Sequence, residues 1–563
     1  MSKRLLKPSR RRQGGLSSPK GALLTSSAAV AVLMAMGITA PAANAQITIT
    51  DGQTTPVFDP NGTPVNAPAG VTQTIADTPA DDDPDNGNIV LDGSSNDGTV
   101  ITVGGTLINL DTQDENTVIF IDNGENDVVI NVESTGVLEG VNGVIFAEGD
   151  AVTITNDGTI TGTGVATEGV VYIDRDADGE LNTITNNGTI TSVGGPAIGL
   201  DSLLGTAPNS STTAAATAAD PNVFGGTLNL ALTNTGTIEN TGTAGGTNAI
   251  FFNGDPGSTS EGSTSSSQRG CFENIDGSAT PQINCQFGIA IDNSGTIAST
   301  NGEAIRNEDE AVLTGTLLNS GTISGGTDGI LIAGAQAEHD LALTNSGTIQ
   351  GADGAGLLIT GDGVDLVNAA GGMIIGSDAG LMVTGSTADV RVVDRNDANT
   401  ATVGPDRNED FVVAAVNNTF TNAGTISGTR ASVDLSGAGE AITFEQQGGA
   451  LVGDFLGTTG FTDTLNFTTS NFTLASNILQ SVNTNVGTGV TLNVDGARMI
   501  DGDLVSDGTL DFLLGTDSLA VTGDVTLNSS SVVNVNDTNG VVTALGQQFT
   551  LVTSGGTLTT MQL

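Results

Sequence analysis

The side chains with the clearest potential for chemistry are carboxylates. Asp174-Arg175-Asp176-Ala177-Asp178-Gly179-Glu180 follows the Asp-x-Asp-x-Asp-Gly pattern of the first half of a calcium loop. In such a loop three oxygens converge on the ion and Gly allows the sharp turn. Thr185 stands where the bidentate Glu of a complete loop belongs. Two readings therefore stay open: a weak calcium site at Asp174, Asp176, Asp178 and Glu180, or an ordinary acidic turn. Calorimetry at millimolar calcium on the chain and on Asp176→Ala separates them. Asp81, Asp83 and Asp85 form a cruder version, with Gly87 one place late. Calcium is the one candidate cofactor.

Other chemistries lack their parts. A Ser hydrolase needs a base, and the only His is His339, in the polar run Glu338-His339-Asp340, where a solvated loop residue is expected. Sugar-cleaving sites want paired carboxylates, which are generic in so acidic a chain. Sugar sites also favour aromatic platforms, and this chain has one Tyr, Tyr172, and no Trp. No catalytic residues are assigned, and a non-enzyme is expected. Cys271 and Cys285 share one polar segment. In an exported chain the simplest reading is a disulfide, which constrains the unfolded state by about 3 kcal/mol.

The elements around these residues are repeats. Apolar-x-Asn-x-Gly-Thr-Ile occurs seven times, at Asn156, Asn186, Asn234, Asn293, Asn319, Asn345 and Asn422. Weaker relatives run from Val132 to Leu138 and from Val367 to Ile374. Side chains of an extended chain alternate with period two. Leu341, Leu343, Asn345 and Ile349 therefore share one side, and Thr344, Ser346 and Thr348 the other. Leu and Ile point inward, Thr outward, and Asn is the one polar group on the inner row. A unit of about 20–30 residues cannot bury its own apolar face, so such units must stack as parallel strands about 4.8 Å apart. The Asn residues then either form an amide ladder up the stack or serve as turn residues tolerating left-handed φ. The Gly allows a bend or a positive φ at the corner.

The stack is expected over residues 91–463, with insertions near 201–222, 254–286 and 394–410. Counting from about 90 to about 510 predicts roughly 14–17 rungs. Residues 46–90 are Pro/Asp/Thr-rich and read as a spacer or cap. Residues 464–563 carry denser strands without the Asn motif. Residues 1–45 read as an export signal: a basic start, an apolar stretch from Ala22 to Ile38, then Ala43-Asn44-Ala45 before Gln46. Without them, eight Arg face 63 carboxylates, a net charge of −55. That surface repels phosphates and excludes nucleic acid as a partner.

The basic signal, the Asn-x-Gly-Thr-Ile rungs and the closing stretch Asp501-Gly-Asp-Leu-Val-Ser-Asp-Gly-Thr-Leu510 together resemble the passenger of a classical-type autotransporter of Gram-negative bacteria. The resemblance covers nearly all of the chain after residue 45. It implies an all-β, right-handed parallel β-helix, displayed at the cell surface or outer membrane or released outside the cell. It also implies a translocator barrel in the outer membrane as partner. About 100 residues after Thr464 are too few for a barrel of about 12 strands, so that barrel is expected in a continuation of the frame or in a separate chain. Adhesion, autoaggregation or biofilm formation toward an unidentified surface or host ligand is the expected role. The alternatives are a polysaccharide-binding or polysaccharide-cleaving β-helix and a calcium-dependent surface-layer or matrix protein.

Overall fold

The computed structural model describes residues 46–560 apart from 77–86, 92–95, 112–116, 123–124, 142, 150, 165–168, 174–179, 202–226, 244–246, 254–284, 309–310, 335–338, 393–406, 414, 539, 543 and 545. At residue 285 and along 386–392 and 407–413 it describes the backbone alone. The expected signal, residues 1–45, lies outside these residues.

Period-two apolar patterning produces strands throughout, and no helix occurs among the described residues. From the second turn on, the chain contributes a stretch of strand to each of three columns in every turn, and the strands of a column pair in parallel from one turn to the next. The result is a right-handed parallel β-helix: the repeats call for the parallel stack, and the resemblance implies its hand. The first column is a sheet of 18 strands, from Ile47–Thr48 to Leu558–Thr560. The second begins at Thr72–Ile75 and the third at Val57–Phe58. One 13-residue strand, Thr425–Gly437, passes through the corner between them. Its Ile426 pairs with Ile374 in the second column and its Val433 with Leu381 in the third.

Register is what makes the stack cohere. In the first column Ile154, Ile184, Leu232, Ile291, Leu317 and Leu343 lie directly above one another. In the second, Ile160, Ile190, Ile238, Ile297, Ile323 and Ile349 do the same. None of these is more than 1% exposed, and each such burial stabilises by about 1.5–3 kcal/mol. They belong to one hydrophobic cluster reaching from Ile49 to Val525.

The stack is longer than the motif indicates. The stretch read as a spacer or cap supplies rungs at the start of the stack: Ile47 pairs with Val65, Val65 with Ile101, and Thr72 with Thr106. The stretch after Thr464 stays in the first column, with Thr464 paired to Asn483 and Asn485 to Val505. There the second column becomes a separate four-stranded sheet, which starts at Phe472–Leu474. At that break Leu451, Phe455, Phe467 and Phe472 line a cavity of about 10 Å³, too small for a ligand.

Variation in chain length is confined to particular corners. In all seven motif rungs the turn from first to second column is two residues, as at 157–158 and 346–347. Residues 174–179, 202–226 and 254–284 follow third-column strands, and 112–116, 165–168 and 244–246 precede them. An antiparallel hairpin, Ser386–Val392 with Arg407–Val413, also follows a third-column strand. The third column is therefore the one flanked by insertions at both ends.

Candidate functional site

The Asn residues resolve in favour of the ladder. Each sits at the end of a first-column strand, side chain inward, and none is more than 2% exposed. Nδ2 of Asn156 donates to Oδ1 of Asn186 at 2.8 Å, and Asn186 to Asn234 at 2.8 Å. The series continues from Asn234 to Asn293 (2.7 Å), Asn319 (2.8 Å) and Asn345 (2.8 Å). It then runs through Asn368 (2.9 Å) to Asn422 (2.7 Å) and closes on Oε1 of Gln446 (2.9 Å). From Asn156 to Asn368 each Nδ2 also donates to a carbonyl of the next rung, as Asn293 does to Thr322 at 3.2 Å. Both amide hydrogens are thus used, and every bond points from the earlier rung to the later one. Asn368 lay in a weak relative of the motif, and Gln446 carried no signal beyond being an amide 24 residues after Asn422. The ladder is closed to solvent, so its bonds serve to hold the stack.

The motif glycines sit at the corner bends, as expected, but not in left-handed backbone. None of the seven has a positive φ. A Cβ on Gly321 would lie 2.1 Å from the carbonyl oxygen of Gly295, and one on Gly347 would lie 2.1 Å from that of Gly321. Close approach of successive corners, not left-handed backbone, requires them.

Asp174, Asp176 and Asp178 lie outside the described residues, and so does the Cys271–Cys285 pairing. Glu180 is described and exposed, just ahead of the strand Leu181–Asn186. Among the described residues no group of three His, Cys, Asp or Glu side chains is arranged to hold a metal ion.

His339 is not the solvated residue its neighbours suggested. It is 2% exposed. Its Nδ1 accepts the N–H of Leu313 at 3.0 Å and its Nε2 meets the carbonyl of Ala333 at 2.9 Å. Burial pushes its pKa below the ordinary histidine range, against a smaller upward pull from the Ala333 carbonyl. The polar flanks misled because the rung above supplies the burial. A histidine so enclosed serves no nucleophile.

Other perturbed groups sit at corners. Burial pushes the Glu125 carboxyl up despite two bonds from Asn96, with the charges of Asp97 and Asp59 adding to the rise. Burial also raises Asp328, against a backbone N–H from Ala355. Arg430 donates two bonds to Asp378, both 2.8 Å, holding that carboxyl below its usual range. The same guanidinium reaches the buried Asp434 at 2.6 Å.

The outward side of the third column differs from the Thr-clad sides of the other two. Its middle positions stack Phe58, Val90, Phe120, Phe146 and Tyr172 in register. Phe120 and Phe146 stack at 5.5 Å between centroids, and Phe146 and Tyr172 at 5.0 Å. Phe120, Phe146 and Tyr172 are buried against one another, so they stiffen the column and offer no sugar platform, whereas Phe58 is exposed. After a gap at Gly199 the row continues as Phe251, Arg306, Leu331, Leu358 and Met382, all half-buried. Beside the gap, Asp201 accepts Tyr172 Oη–H at 3.0 Å and Asn253 Nδ2 at 3.2 Å. Third-column strands along this row are two to six residues long, and only Phe120, Phe146 and Tyr172 recur at an even spacing, so the sequence carried a signal for three members of the row and none for the rest.

No family model matches the chain, and neither a curated protein nor a solved structure matches it.

Proposed function

We propose that the chain is the exported, surface-displayed passenger of an autotransporter-type secretion system, acting in adhesion, autoaggregation or spacing at the cell surface. One observation carries the recognition part of this reading. Insertions and an outward row that is apolar but for Arg306 are concentrated on the third column, whereas the first two columns are joined by short corners in the motif rungs and have mainly hydroxyl-bearing exteriors there, Leu318, Val367 and Met373 excepted. Solenoids use variable loops on one face for recognition, and half-exposed apolar side chains are the usual core of a contact surface. The net charge of −55 after residue 45 keeps such a protein soluble and away from anionic lipid. A barrel in the outer membrane, in the same or another chain, is the partner this reading requires.

The test is surface display followed by loss of contact. Intact cells are treated with protease and probed with antibody to the solenoid, and cells lacking the protein are scored for settling and surface binding. The double variant Leu331→Asp/Leu358→Asp, with unchanged circular dichroism, should reduce aggregation or binding several-fold. Protein found only inside the cell, or aggregation unchanged when the gene is deleted, would overturn the proposal.

A further inference from the structure

We propose that His339 is an acid-sensitive clasp between two rungs: its imidazole ties the strand Ala311–Asn319 to the rung below only while neutral, and acidification releases that corner. Elsewhere in the stack the same task falls to amides and a carboxylate. Asn182 Oδ1 accepts the N–H of Val152, one rung back, at 2.9 Å. Asn418 accepts Val364 N–H at 2.8 Å, and Asp463 accepts Ile442 N–H at 2.7 Å. His339 Nδ1 does this for Leu313 at 3.0 Å. Of these four acceptors it is the one that a proton turns into a donor at mildly acidic pH.

The geometry leaves a single protonation state. A backbone N–H can only donate, so Nδ1 must present a lone pair. Nε2 then carries the proton and donates to Ala333 O at 2.9 Å. Ala333 is held in turn by Asn307, whose Oδ1 takes its N–H at 2.8 Å and whose Nδ2 reaches Ala311 O at 2.9 Å. On another side stands Gly361, where a Cβ would lie 2.7 Å from Nε2. The ring has no room to turn over. A second proton sets two donors against each other, and the Leu313 bond must open.

Charged groups on the packed elements do not rescue the cation. Among the described residues these are Glu308 ahead of the 311–319 strand, the exposed Asp340, and Asp362, whose carbonyl takes the His339 N–H at 3.2 Å. Burial is the largest influence on the ring and lowers its affinity for a proton, with the Ala333 carbonyl pulling the other way. The open corner, with an ordinary histidine, binds the proton more tightly than the closed one. The clasp is therefore intact above about pH 6.5 and weakens as pH falls from there toward the depressed value of the closed state. Across that window protection should fall about tenfold per pH unit.

The experiment is hydrogen exchange on the full chain from about pH 8 to about pH 5, with protection factors corrected for intrinsic rates. The Leu313 segment should lose protection on acidification, while the Leu232 segment stays flat. His339→Asn keeps an acceptor of the kind used at Asn182 and Asn418 and should abolish the response. His339 is the only histidine, so its imidazole NMR signals need no assignment. They should report an Nε2–H tautomer that resists titration in the folded protein. Flat protection at Leu313, a response persisting in His339→Asn, or an imidazole titrating in the ordinary range would each refute the clasp, and the NMR result does so even if the variant fails to fold.

Discussion

Cutting one link from the middle of the amide ladder should cost more than one ordinary hydrogen bond. In Asn319→Ala, Asn293 Nδ2 loses its acceptor at 2.8 Å and Asn345 Oδ1 loses its donor at 2.8 Å. The carbonyl of Thr348 loses a bond at 3.1 Å. The residues are buried, so water cannot replace the missing partners without entering the core. Each orphaned group costs about 1–3 kcal/mol, so the two side-chain orphans alone give about 2–6 kcal/mol. In a stack of near-independent neighbours that loss is local, and the readout is hydrogen exchange over residues 314–325 together with urea unfolding. The double variant Asn293→Ala/Asn319→Ala breaks their shared bond only once. It should therefore cost less than the sum of the single variants, by roughly 0.5–3 kcal/mol. A loss below about 0.5 kcal/mol for Asn319→Ala, or strict additivity with Asn293→Ala, would refute the ladder as a cooperative element.

Gly321→Ala places a methyl 2.1 Å from the Gly295 carbonyl oxygen and should destabilise by about 1–3 kcal/mol or more. Gly371→Ala, at φ +90 with nothing within 4 Å, should show only backbone strain of about 1–2 kcal/mol; urea midpoints compare the two. Arg430→Gln removes the 2.6 Å partner of buried Asp434 and should cost about 1–3 kcal/mol, with faster exchange across residues 431–435. Tyr172→Phe should cost about 1 kcal/mol through the lost bond to Asp201. Because the chain has one Tyr and no Trp, the fluorescence of Tyr172 reports unfolding of its own rung in every other variant.

Much of this architecture is legible along the chain because β-structure has a side-chain period of two. Given Leu343, Asn345 and Ile349 on one parity and Thr344 and Thr348 on the other, the inner and outer rows follow before any pairing is known. Recurrence of the same string supplies the register, since stacking like on like is the only way every Ile and every Asn can be buried together. Where the string decays, so does the inference. Gln446 completes the ladder without the Gly-Thr-Ile that follows Asn422, and the rungs at 47–75 and beyond 464 carry no copy of the Asn-x-Gly-Thr-Ile string.

Tertiary structure alone decided the remainder, because it depends on residues distant in sequence. His339 is buried by Leu313 and Ala333 from the turn before and by Gly361 from the turn after, while its chain neighbours are polar. Phe146 meets Phe120 and Tyr172, each 26 residues away and one whole rung along the chain. Local alternation determines which way a side chain points. Only the closed turn of the helix determines what it meets there, because each contact is made one whole rung along the chain.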